Sequence, residues 1–217
     1  MNSPLLQLLV LAGIAVFLII RLKNVLGTRE GFEKPPAPTV ARRKGPDLAV
    51  IEGGPDLDIT DHFDEGTAPA KALAAMKRAE PSFNVTDFMS GARGAYEMIV
   101  MGYERGDLDD IRGFLAEDIF DSFVDGIAAR EDQGLSIEAN FIGVRELKLI
   151  NATFDDATQE AELTLRFIGE LTSVVRNTEG EIVEGSSDEI KRQKDTWAFA
   201  RKMGSENPNW MLVSTDA

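Results

Sequence analysis

The chain has 217 residues, 43% of them hydrophobic, with a formal net charge of −14, one histidine and no cysteine. Disulfides, thiolate catalysis and Cys-based zinc sites are excluded, and His62 alone makes no multi-histidine metal site. Residues 1–66 carry 7 basic and 9 acidic side chains (net −2), so residues 67–217 carry 16 and 28 (net −12); a region this acidic repels phosphate backbones, which argues against nucleic-acid binding.

Pro4 to Ile20 reads PLLQLLVLAGIAVFLII, interrupted only by Gln7. As a helix this run spans roughly 26 Å, and Leu22 with snorkelling Arg21 and Lys23 brings it to a bilayer core of about 30 Å. A cleaved signal peptide is the rival reading. It asks for basic residues before the apolar run and a small-x-small site after it, and Arg21-Leu22-Lys23-Asn24 follows instead. The expectation is one transmembrane signal anchor over residues 4–22. The basic excess after it predicts that the remaining chain is cytoplasmic. Residues 23–69 contain Pro35, Pro36, Pro38, Pro46, Pro55 and Pro69 and lack sustained periodicity, so a disordered linker is expected, basic to Lys44 and acidic beyond Pro46. Asp56 to Thr67 fails the calcium-loop template, with Asp61 at the glycine position and Thr67 at the final acidic one. Ile59 to Phe63 is an apolar-acidic stretch suited to docking a partner.

The soluble domain is expected over residues 70–217. Ala70–Ala79 is rich in helix formers. Its Lys71, Lys77 and Arg78, with Arg21 and Lys23, are the candidate membrane-surface cations. Val85, Phe88, Met89, Ala92, Ala95, Tyr96, Ile99, Val100 and Tyr103 recur at helical spacing in a helix capped by Asn84 and ended by Gly106. A short helix from Asp107 to Leu115 follows, and then another from Glu117 to Gln133 with Phe120, Phe123, Val124, Ile127 and Ala128 on one face. The period then changes to two: strands are predicted at Glu138–Phe154, Gln159–Val175, Ile190–Met203 and Trp210–Thr215. Helices followed by antiparallel strands give the α+β class, with helices packed on a curved sheet. Phe167, Trp197 and Phe199 line its inner face, either as core or as pocket wall. Asp195 and Arg201 share that strand face, bracketing an apolar surface or pairing with neighbours; Arg93 and Tyr96 reach it from the long helix.

Phe88-Met-Ser-Gly-Ala-Arg-Gly-Ala-Tyr-Glu-Met-Ile-Val, followed by Gly106-Asp107 and Phe120 to Arg130, forms one stretch. Asp195-Thr-Trp-Ala-Phe-Ala-Arg, followed by Asn207-Pro-Asn-Trp210 and Leu212-Val-Ser-Thr215, forms the second. Together they resemble the Tim44 C-terminal domain family, and more closely its bacterial TimA branch. The resemblance implies a cone-like fold similar to nuclear transport factor two, preceded by the anchor, and a membrane adaptor or scaffold role linked to protein translocation or membrane-protein assembly. The resemblance implies an apolar pocket, and the residues read above as facing the sheet's inner side make the candidate pocket or partner surface: Arg93, Tyr96, Phe167, Asp195, Trp197, Phe199 and Trp210. The implied partners are membrane lipids and membrane or client proteins at a bacterial inner membrane, with no nucleic acid and no cofactor or metal. A lipid or hydrophobic-ligand binding domain is the alternative. A pocket enzyme ranks after it, because residues 67–217 contain no histidine, nucleophile turn or phosphate loop.

Overall fold

The computed structural model describes residues 55–216. The predicted anchor over residues 4–22, with Arg21 and Lys23, lies outside them. Among the described residues, no helix is long and apolar enough to cross a membrane. The elements are α1 (Leu57–Thr60), α2 (Ala68–Ala79), α3 (Val85–Arg105), a 3-10 turn (Arg112–Phe114), α4 (Glu117–Asp132), β1 (Ser136–Asp155), β2 (Glu160–Arg176), β3 (Ile182–Lys202) and β4 (Met211–Asp216). The strands form one antiparallel sheet in the order β1-β2-β3-β4. The α+β class stands.

Each helix forms where its apolar spacing gives it a face to bury. On α2, Leu73 and Met76 are fully buried. On α3, Val85, Phe88, Ala92, Tyr96, Ile99 and Val100 make one stripe into the core. Asn84 Oδ1 accepts from the Asp87 amide at 2.9 Å, and Gly106 closes the helix at φ +73°. The stripe meets Leu163, Leu165 and Phe167 of β2 and Trp197 and Phe199 of β3 in one cluster.

Three expectations need correcting. The linker does not run disordered to residue 69: α1 lies within it, and Ile59 is buried in the core with Phe63 packed against it. Two carboxylates hold this segment, Asp56 and Asp58, both bonded to Lys77. Asp58 accepts from the Val85 and Thr86 amides at 2.8 and 2.9 Å, a second cap on α3, and from Lys77 at 2.8 Å. Proline and acid content favour disorder, but these long-range bonds and one buried isoleucine outweigh it. Ile59 is therefore spent on this chain's own core, not free for docking. The helix predicted from Asp107 shrinks to the 3-10 turn. The third strand starts eight residues earlier than predicted, at Ile182, because Asn177 Oδ1 accepts from the Glu179 and Glu181 amides and closes a tight β2–β3 hairpin.

Candidate functional site

Along β3, Asp195, Trp197, Phe199 and Arg201 alternate onto the face beneath the helices. Among the described residues, Asp195 is the one buried charged residue of the core, 4% exposed. Its Oδ2 accepts from the Tyr96 hydroxyl of α3, and its Oδ1 accepts from Gln193 Nε2 at 3.1 Å. Tyr96 stacks on Phe167 with ring centroids 4.3 Å apart and planes 6° from parallel, and its ring lies 4.7 Å from Trp197. Burial, and next the bond to Asp195, push the Tyr96 hydroxyl far above its ordinary pKa. It stays a neutral phenol and acts as a fixed donor. The sequence permits this arrangement at Gly169, where an added Cβ would stand 2.7 Å from the Tyr96 oxygen.

Two cavities flank this buried pair. The first, about 420 Å³, lies between α3, the 3-10 turn and the β3–β4 end. Phe83, Phe88, Phe114, Phe199 and Trp210 line it, with Asp87 and Glu80 among its polar residues. Arg201 lines it as well. Its side chain is 8% exposed, its Nη2 donates to Glu80 Oε2 at 2.7 Å, and its guanidinium carbon sits 5.3 Å from the Trp210 ring. Burial opposes charge on Glu80, but Arg201 and the Gly204 amide outweigh it and hold the carboxyl below the usual range. The second cavity, about 350 Å³, is walled by Ile99, Val100, Tyr103, Phe123 and Trp197, with Glu104, Asp195 and Asp216 as its acids. Burial raises the Glu104 pKa, against the opposing charges of Arg130 and Lys191.

The predicted pocket residues thus divide. Phe199 and Trp210 line the first cavity, and Asp195 and Trp197 the second. Tyr96 and Phe167 are fully buried between them. Arg93 reaches neither cavity: its Nη1 donates to the Val144 carbonyl of β1 at 2.7 Å, tying α3 to the edge strand. Among the predicted membrane-facing cations, Lys71 and Arg78 are exposed. Lys77 is not free for headgroups, because Asp56 and Asp58 hold its ammonium at 2.7 and 2.8 Å. Glu80, Phe83, Tyr103, Glu104 and Phe123 join the site without having been predicted in it. The helical period marks Tyr103 and Phe123 as inward-facing, but nothing local distinguishes a cavity wall from core. Glu80 carries no signal, since its partner Arg201 lies 121 positions away.

Residues 69–217 match the Tim44-like domain family. The chain belongs to that family. This Tim44-like chain is 24% identical over 154 residues to the mitochondrial import inner membrane translocase subunit TIM44 of Homo sapiens, covering 70% of this chain and 34% of that protein. It is 20% identical over 143 residues to subunit TIM44-1 of Arabidopsis thaliana, covering 65% and 30%. It therefore spans about a third of the length of these relatives. Among solved structures, the intermembrane space region of chloroplast protein ARC6 is similar with a TM-score of 0.39 and 12% identity, over 59% of this chain and 94% of that one.

Proposed function

We propose that this Tim44-like domain is a non-enzymatic adaptor that binds proteins at a membrane, in protein translocation or membrane-protein assembly. The observation that carries the reading is the family match over residues 69–217, whose curated relatives are named as import inner-membrane translocase subunits. The first cavity supports it. An aromatic slot of about 420 Å³ with Glu80 and Asp87 beside it suits an apolar side chain presented by a partner segment with basic flanks. In this reading the helices and sheet form the cone-like frame of nuclear transport factor two. Residues 4–22 anchor the chain in a bacterial inner membrane with the domain cytoplasmic, and exposed Lys71 and Arg78 approach anionic headgroups.

The test places a photoreactive side chain at Phe114, a partly buried wall residue of the first cavity, in the full-length protein in its membrane. Adducts with translocation components or with an arrested translocating chain, lost on Trp210→Ala, support the adaptor. Adducts with lipid alone move the assignment to a lipid carrier. No adduct at all removes this cavity as the binding surface.

A further inference from the structure

The second cavity, about 350 Å³, has no role in the adaptor reading. Its floor and its rim differ in burial. Asp195 and Trp197 are buried at the floor, and Ser122 and Asp216 are exposed at the rim. The end of β4 closes one side, with Thr215 opposite Trp197 and Asp216 opposite Thr196. Tyr103 and Phe123 make an aromatic wall, their ring centroids 4.8 Å apart.

The charges of this cavity are not balanced from within. Glu104, Asp195 and Asp216 line it, and no Lys, Arg or His does. Asp195 is 4% exposed, yet both its donors, the Tyr96 hydroxyl and the Gln193 amide, are neutral. They fill two of the roughly four lone-pair sites that a carboxylate offers. Glu104 meets Arg130 and Lys191 only through their fields, and burial raises its pKa against them. Arg130 is spent elsewhere: its Nη2 donates to the Tyr103 carbonyl at 2.9 Å. Among the described residues, no cation bonds Glu104 or Asp195. Carboxylates held out of water without a cationic partner are costly, and a cation entering from outside offsets that cost.

The walls say what kind of cation. Among the described residues, no three acids or histidines converge closely enough to hold a metal ion. Aromatic side chains suit a methylene stem below a charged head, and they attract the head as well. Tyr103 already carries one such group, the Arg130 guanidinium carbon 5.4 Å from its ring centre.

We propose that the second cavity binds an organic cation, an alkylammonium or guanidinium group, with its stem against Tyr103 and Phe123 and its head on Glu104 and Asp195. The net charge of −12 over residues 67–217 draws such groups towards the domain. This inference does not rest on the adaptor reading.

The chain has two tryptophans, Trp197 in this cavity and Trp210 in the first. Full-length protein labelled with 5-fluorotryptophan therefore gives one fluorine signal for each cavity. n-Butylguanidinium is expected to shift the Trp197 signal saturably and leave the Trp210 signal in place. It should bind at least about fivefold more tightly than n-butylurea, its uncharged isostere. Glu104→Gln removes a charge that burial disfavours, so the fold is kept. That variant should weaken n-butylguanidinium at least about threefold and leave n-butylurea unchanged, whereas Asp87→Asn, the same change of net charge beside the first cavity, should alter neither. A photoreactive side chain at Ser122 on the rim then separates the sources of the cation in the membrane. Protein adducts suppressed by n-butylguanidinium assign it to a basic side chain of a partner, and spermidine outbinding n-butylguanidinium assigns it to a free amine. Equal binding of n-butylguanidinium and n-butylurea overturns the proposal, as does an equal loss from Glu104→Gln and Asp87→Asn.

Discussion

Tyr96→Phe removes one oxygen and leaves the ring stacked on Phe167, so the loss reports the hydroxyl alone. Asp195 is 4% exposed, and its second donor, Gln193, reaches only the other carboxylate oxygen. A hydrogen bond to a buried charged acceptor contributes about 1.5–3 kcal/mol, and the stranded oxygen finds no replacement unless water enters from the second cavity. The expected loss is therefore about 2 kcal/mol, which in a domain of this size lowers Tm by roughly 4–8 °C. Urea unfolding followed by the fluorescence of Trp197 and Trp210, with an unchanged slope, measures it. Asp195→Val gives the other arm of a cycle by leaving the phenol without its acceptor. The double variant is expected to cost less than the sum of the two single losses, with a coupling of about 1–2 kcal/mol. A Tyr96→Phe loss below about 0.5 kcal/mol, or a coupling near zero, refutes the view that this buried pair organises the domain.

Gly169→Ala brings a methyl to 2.7 Å from the Tyr96 hydroxyl oxygen and 2.9 Å from its ring unless the backbone shifts. It is expected to cost about 1–3 kcal/mol and to change the near-ultraviolet circular dichroism spectrum. Burial raises the Asp58 pKa, but bonds from Lys77, Val85 and Thr86 outweigh this and lower it from 3.8 to about 2. A depressed acid stabilises above its unfolded pKa and loses that contribution as pH falls through the folded one. Asp58→Asn should therefore cost about 1–2 kcal/mol at neutral pH, after allowance for solvent screening, and flatten the stability profile between about pH 4 and 2 in acid titrations. Glu104 has the opposite sign: its raised pKa makes its charged form unfavourable in the fold, so Glu104→Gln should raise Tm at neutral pH and lose that advantage as the solution is acidified.

The local code of this chain is strong where periodicity and caps coincide. The stripe from Val85 to Val100, the Asn84 cap and the Gly106 stop define α3 without help from elsewhere, and the alternation of Leu163, Leu165 and Phe167 defines the inner face of β2. The family resemblance is legible for the same reason, because it rests on contiguous stretches. What tertiary structure alone decided are pairings between distant positions. Asp58 became a cap for α3 across 27 residues, ordering a segment whose composition reads as linker. Arg93, placed by its helix near the inner face, turned instead to the Val144 carbonyl. Asp195 and Arg201, at the two ends of one strand-face row, were assigned to Tyr96 and Glu80 and so to different cavities. Periodicity fixes which way a side chain points; which partner it meets depends on the register between strands and the seat of each helix on the sheet, and those are settled only when the core packs.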